Sequence, residues 1–141
     1  MVAEVVVQGV TGLAQSIDVR GHHLKADEPT DAGGTDTGPT PYDLLAAALG
    51  ACTSMTISMS ARKRKFPLDS VTVRVRHSKV HADDCAASET KDVTIDRLDR
   101  TIELVGALSE EQRQHLLGVA DRCPVHRTLK SEIDIQTSLL P

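Results

Sequence analysis

The chain has 141 residues, 40% of them apolar and 26% charged, which suits one domain, residues 1–141, with a sizeable hydrophobic core. Sixteen basic against twenty acidic side chains leave a net charge of −4, and Tyr42 and Phe66 are its two aromatic residues. An acidic chain without stacking surfaces is not expected to bind nucleic acid, and plentiful periodic apolar residues exclude wholesale disorder. Three cysteines, Cys52, Cys85 and Cys123, are an odd and widely spaced set. That is not a secreted disulfide framework. The N-terminal stretch lacks the basic-then-apolar pattern of a signal peptide, so the expected compartment is the cytoplasm.

In chain order, Val5 and Val7, then Leu13, Ile17 and Val19, alternate with polar residues between glycines, and Leu24 and Ala26 continue the pattern. This predicts an antiparallel hairpin or meander of short strands, with His22 and His23 at a turn beside Gly21. Residues 27–41 are rich in Gly, Pro, Thr and Asp and read as a plain connector; no Lys-Ser/Thr follows the glycines, so it is not a phosphate loop. A helix then begins with Thr40 as N-cap, Pro41 at its first position and Asp43 closing a capping box.

From Leu44 to Ala61 that helix carries no charge, and Arg62, Lys63, Arg64 and Lys65 end it, as a helix C-terminus favours. The run is long enough to span a bilayer, but Thr53, Ser54, Thr56, Ser58 and Ser60 make it too polar to prefer lipid. We therefore expect a helix buried around most of its circumference, which a chain of this size achieves by dimerising. Its inward stripe is expected to contain Leu45, Ala48, Leu49, Cys52, Met55 and Met59.

Val71, Val73 and Val75 alternate with polar residues in a half-buried strand, and a polar loop, residues 83–91, leads to a second long strand. There the apolar phase is odd at Val93 and Ile95 but even at Leu98, Ile102 and Leu104, which predicts a bulge near Asp96–Arg97. A second helix starts at Ser109 through a Ser-x-x-Gln capping box and turns Leu116, Val119 and Ala120 inward. Cys123-Pro124 breaks or restarts that helix, and Ile133 and Ile135 alternate in a final strand. The class is α+β, with antiparallel strands around two helices.

Cys52, taken alone, reads more readily as a small core hydrophobe than as a nucleophile. Cys123 would sit at the N-cap of a helix begun by Pro124, where the amides of Val125 and His126 can favour its thiolate. His126 and Arg127 are the side chains nearest to it in sequence that could support a negative charge. Both sulfurs face inward, so they are expected to meet in one core. His77, His81 and Cys85 recur every fourth residue, a metal spacing on a helix, but on a strand the two imidazoles stand about 13 Å apart. No metal or other cofactor is expected. His115 is expected at the helix surface.

The run from Gly38-Pro39-Thr40-Pro41-Tyr42-Asp43-Leu44-Leu45 through Gly50-Ala51-Cys52-Thr53, with Cys123-Pro124-Val125-His126 farther on, resembles the OsmC/Ohr family. Ala26-Asp27-Glu28-Pro29 and Gly33-Gly34 agree as well, so the likeness covers nearly the whole chain. The resemblance implies an intertwined homodimer with two long central helices wrapped by six-stranded sheets. It also implies a thiol peroxidase for organic hydroperoxides, with Cys52 peroxidatic, Cys123 resolving it as a disulfide, and a dithiol reductant regenerating the pair. Cys85 is then a bystander.

Two positions depart from the family's best-known members. The glutamate before the first cysteine is Tyr42 here, and the N-terminal hairpin arginine is matched by Leu13. Asp43 lies on the opposite side of the helix from Cys52 and cannot stand in for the glutamate. Arg20 or Arg127, from either subunit, is then the expected replacement for the arginine. These departures place the chain nearer the OsmC-like branch and motivate an alternative: a non-catalytic dimer that binds a small apolar ligand or a metal.

Overall fold

The computed structural model describes residues 3–84 and 93–141. Cys85 and most of the polar loop around it lie outside the described residues. The chain divides into two compact units, residues 1–45 and 46–141, and is α+β.

In the first unit β1 (Val6–Gly9), β2 (Gln15–Val19) and β3 (His22–Ala26) form the expected antiparallel meander, in the order β1-β2-β3. The turn between β2 and β3 is two residues long, with Arg20 at φ 48° and Gly21 at φ 82°, a pairing that suits the strands' own twist. His22 and His23 are thus not in the turn but begin β3, where His23 pairs with Asp18. β1 is exposed along its whole length.

Residues 27–40 are more organised than a connector. Asp27 is buried, and Oδ2 accepts from the hydroxyls of Thr35 and Thr37, both at 2.7 Å, and from their amides at 3.3 and 3.0 Å. Oδ1 accepts from the Glu28 amide at 2.8 Å. The Thr35 hydroxyl, with the Thr37 hydroxyl and amide and the Glu28 amide, holds this carboxyl far below the usual carboxylate range. Gly34 closes the loop against Glu28, where a Cβ would stand 2.0 Å from the carbonyl oxygen. Here a run of turn-forming residues reads as a tether in sequence, because the ring of donors around one carboxylate has no periodicity.

The capping box at the start of α1 (Pro41–Arg64) forms as expected: the Thr40 hydroxyl accepts from the Asp43 amide at 3.1 Å and Asp43 accepts from the Thr40 amide at 3.0 Å. By length and composition α1 could also cross a membrane. Its buried residues, however, are one stripe, Leu49, Thr53, Ile57 and Ala61, each four residues from the next. The expected stripe is corrected by this: Met55 and Met59 are 64% and 61% exposed in the single chain, Leu45 is exposed, and Cys52 is half-buried. Thr53 takes a core place because the structure gives its hydroxyl partners, which apolarity alone does not register.

The second unit pairs β4 (Leu68–His81) with β5 (Thr94–Gly106) in a long antiparallel ribbon. The ladder runs without interruption from Ser70–Val105 to His81–Thr94, so no bulge occurs at Asp96–Arg97. Instead both strands change their covered face together, β4 between His77 and Val80 and β5 between Arg97 and Leu98, as a twisting two-stranded ribbon does. The register shift lies at the other end, between Leu68 and Ser70, opposite Gly106. Gly106 has φ 150°, and a Cβ there would stand 2.1 Å from the Pro67 carbonyl oxygen.

α2 (Glu110–Val119) carries the predicted Ser109–Gln112 capping box, and a 3-10 turn, Ala120–Arg122, leads to α3 (Pro124–Lys130). Ile57 and Ala61 from α1 pack with Leu116, Val119 and Ala120, backed by Phe66, Leu68, Val71, Ile102, Leu104 and Leu108. Leu116, Val119 and Ala120 therefore face inward as read. The expected strand at Ile133 and Ile135 does not form. Both side chains are exposed and residues 131–141 pair with no strand of the described chain, and an alternating segment without an edge to join has no ladder.

Candidate functional site

The site is built on three elements of the second unit: α1 supplies Cys52 and Thr53, β5 supplies Arg100, and the junction from α2 to α3 supplies Cys123. Pro124 starts α3 and leaves Cys123 at its N-cap with φ −64° and ψ 138°. Its sulfur is fully buried and accepts from the His126 amide at 3.2 Å. Of the two amides expected to reach this sulfur, that of His126 makes the hydrogen bond.

Cys52 and Cys123 are both free thiols, and the Cys52 side chain is among the neighbours that lower the Cys123 thiol. The two cysteines are thus neighbours within one chain, Cys52 preceding the residue that reaches the Cys123 sulfur. Thr53 stands beside them. Its hydroxyl lies 2.7 Å from the Leu49 carbonyl and 3.8 Å from Cys123 Sγ, and it carries a single proton to share between them. Burial pushes the Cys123 thiol up. The His126 amide, the Cys52 thiol, the Thr53 hydroxyl and the Arg100 charge together outweigh burial, and the thiol titrates below the ordinary value.

Arg100 is the residue that sequence reading missed. Its Nη1 donates to Thr53 Oγ1 at 3.1 Å and to the Ala120 carbonyl at 3.3 Å. Nη2 donates to Asp121 Oδ1 at 3.1 Å and lies 3.2 Å from His126 Nδ1. The guanidinium side chain is 12% exposed, whereas Asp121 is 74% exposed. A signal was present in the sequence: Arg100 falls in the even, inward phase of β5 with Leu98, Ile102 and Leu104, where an aliphatic side chain is the rule.

The expected cations fare differently. His126 meets Cys123 through its backbone amide, and its ring turns to Arg100 and, at 4.0 Å, to Asp121. Arg127 is exposed on α3, and Arg20 is the hairpin turn residue described above. Around α1 and α2, Thr56, Met59, Ser60, Lys63, His115 and Arg122 line most of an open cavity of about 450 Å³. Thr56 ties it to the site, since its hydroxyl donates to the Cys52 carbonyl at 2.7 Å. His115 is half-buried rather than on the surface, edge-on to Phe66 and 3.5 Å from the Ser60 hydroxyl.

His77 and His81 stay apart from all this. His77 and Lys79 share Asp96, at 2.8 and 2.9 Å, and together they lower its carboxyl, Lys79 the more; His81 pairs with Asp83. Among the described residues no three His, Cys, Asp or Glu side chains group as metal ligands.

The OsmC-like protein family matches residues 34–138, and those residues hold α1, both cysteines and the Cys123-Pro124 cap. The chain belongs to the OsmC-like family. Solved structures agree on the fold. A Psychrobacter arcticus osmotic-stress and detoxification response protein is 24% identical, with 89% of this chain and 85% of that one covered and a TM-score of 0.66. A Legionella pneumophila organic hydroperoxide resistance protein is 20% identical over 95% and 93%, at 0.68. An OsmC-like protein from Mycoplasma pneumoniae is 18% identical over 92% and 88%, at 0.71. No curated protein matches the sequence.

Proposed function

We propose that this chain is a thiol peroxidase that reduces organic hydroperoxides with Cys52 and Cys123. The observation that carries the reading is the pair of free thiols, one half-buried and one capped inside the core by the His126 amide. Relatives of the same fold that are named for organic hydroperoxide resistance support it.

Cys52 is the thiol a peroxide can meet, because Cys123 is fully buried and Cys52 is not. Its thiolate attacks the peroxide, the O–O bond breaks, and the alcohol leaves after taking a proton, with Cys52 left as a sulfenic acid. The Cys123 thiolate then attacks the Cys52 sulfur. A disulfide forms, and hydroxide leaves and is protonated to water. A dithiol reductant returns both sulfurs to thiols and is itself oxidised to a disulfide. The caps on Cys123 suit the second step, in which a buried thiol must be ionised without help from bulk water.

The working unit is a cytoplasmic homodimer of one domain per chain, with no metal or other cofactor and no nucleic-acid or membrane partner. The exposed methionines of α1 and the unpaired alternating segment at Ile133 and Ile135 support the dimer, since a second copy would cover the first and pair the second. The family match, which runs from residue 34 across the boundary between the two units to residue 138, supports the single domain. Cys85 has no part in the reaction.

The test is a reductant-coupled assay with an organic hydroperoxide and with hydrogen peroxide. Faster turnover of the organic substrate, abolished in Cys52→Ser, is expected. Full activity in Cys52→Ser refutes the mechanism, and the absence of turnover with both thiols still free refutes the peroxidase.

A further inference from the structure

We infer that Arg100 is a positioning residue for the resolving step, held by Asp121, and that it supports the Cys123 thiolate from β5. The inference rests on the peroxidase reading above but draws on geometry of its own.

Arg100 donates to groups on every side of the Cys123 pocket: Thr53 on α1, Ala120 and Asp121 on the turn before Cys123, and the His126 ring on α3. Those segments carry Cys123 and its two non-cysteine donors, the Thr53 hydroxyl and the His126 amide. One planar fork thus fixes the cap on which the thiolate depends. By accepting from Arg100, Thr53 Oγ1 is also left to point its own proton away from the guanidinium, toward Leu49 O or Cys123 Sγ. Asp121 is too exposed to stabilise the fold much through this ion pair; its effect is to set the orientation of the fork.

The arrangement serves Cys123 and not Cys52, so its effect falls on disulfide formation. In that step the Cys123 thiolate displaces hydroxide from the Cys52 sulfenic acid, and the fraction ionised sets the rate. Each unit by which the thiol titrates higher lowers the thiolate fraction near neutral pH by about tenfold.

The experiment uses full-length protein in a Cys85→Ser background, with Arg100→Met, Arg100→Lys and the surface change Asp121→Asn. Cys123 is titrated by thiolate absorbance as the difference from a Cys123→Ser partner. After one equivalent of cumene hydroperoxide, Cys52 sulfenic acid is trapped with dimedone and the disulfide is followed against pH. We expect Arg100→Met to raise the Cys123 titration, move the pH profile of disulfide formation upward by the same amount, and accumulate trapped sulfenic acid. Arg100→Lys should recover part of the shift and Asp121→Asn should show a smaller one. An unmoved Cys123 titration in folded Arg100→Met, or in Asp121→Asn together with Arg100→Lys if Arg100→Met does not fold, overturns the inference. Absence of sulfenic acid in the Cys123→Ser chain overturns the peroxidase reading instead, and the titration still decides the role of Arg100.

Discussion

Thr53→Val isolates the hydroxyl at the centre of the site while keeping the shape of the side chain. Thr53 is fully buried, donates to the Leu49 carbonyl and accepts from Arg100. Losing the first bond costs little, because that carbonyl lies in α1 and keeps its helical partner. Losing the second takes a hydrogen bond from a charged donor, worth about 1.5–3 kcal/mol. Two effects reduce this: Nη1 retains the Ala120 carbonyl, and the added methyl gains about 0.8 kcal/mol of burial. The net destabilisation is therefore about 1–2 kcal/mol, read from urea denaturation. Thr53→Ser keeps both hydroxyl bonds and loses one methyl, about 1 kcal/mol with its small cavity. Stability alone does not separate the two variants. The titration of Cys123 does, because Val removes a donor to the sulfur and Ser retains it. Val should raise the Cys123 titration and Ser should leave it near wild type. Equal titration in both variants would refute the account of Thr53 as a donor to this thiol.

Leu116→Ala empties the middle of the second unit's core, where the leucine is fully buried, and should cost about 3 kcal/mol in urea denaturation. Ser109→Ala removes the side-chain half of the α2 capping box, the bond from the Gln112 amide, and should cost about 1 kcal/mol, with Ser109→Asn close to wild type. Asp27 has a folded-state titration depressed below its ordinary 3.8, so its contribution is fully present above that pH and is lost as the pH falls farther. Hydrogen-exchange protection factors across residues 27–40, corrected for the intrinsic exchange rate, should therefore fall on acidification below about pH 4 in wild type, and should already be low at neutral pH in Asp27→Asn. Met55→Glu with Met59→Glu charges the open face of α1 and should yield a monomer by sedimentation velocity; an unchanged dimer would place the interface elsewhere.

The features that the sequence made readable are those that local chemistry encodes. Thr40, Pro41 and Asp43 announce the start of α1, Ser109 and Gln112 that of α2, and Cys123-Pro124 the restart at α3. Each needs only residues within a turn of one another. The errors arose where a distant partner decides. The slip of apolar phase in β5 looks like an inserted residue, but it is the covered face of a twisting ribbon passing from one side to the other. The stripe of α1 was read by apolarity, and Thr53 displaced Met55 and Met59 from the core because β5 offers it a guanidinium. Asp27 collects donors from residues as far along as Thr37, and its loop has no pattern to read. The cap of Cys123 was readable and the cation beside it was not. Cys123 carries its own cap in the next three residues, whereas Arg100 reaches the site only after β5 has been laid against α1 and the α2–α3 turn.

The surroundings of Cys123 are not those that stability alone would choose. A fully buried cysteine is accommodated most simply by aliphatic neighbours, as the adjoining cluster of Ile57, Leu116 and Val119 shows is available in this same unit. Around Cys123 stand instead an arginine fork, a threonine hydroxyl, a second thiol and a helix-initial amide. Withdrawing a guanidinium from water costs several kcal/mol that its hydrogen bonds recover only in part, and apolar replacements of such groups are often neutral or stabilising. A neutral thiol draws little from these donors, while a thiolate draws on all of them. The polarity is thus matched to the charged form of the sulfur, a form that a packing residue never adopts and that the proposed disulfide formation with Cys52 requires. An aliphatic variant of the cluster, Arg100→Leu with Thr53→Val, should on this reasoning approach wild-type stability while forming the disulfide far more slowly; a large loss of stability with unimpaired disulfide formation would mean that the polar cluster exists for the fold.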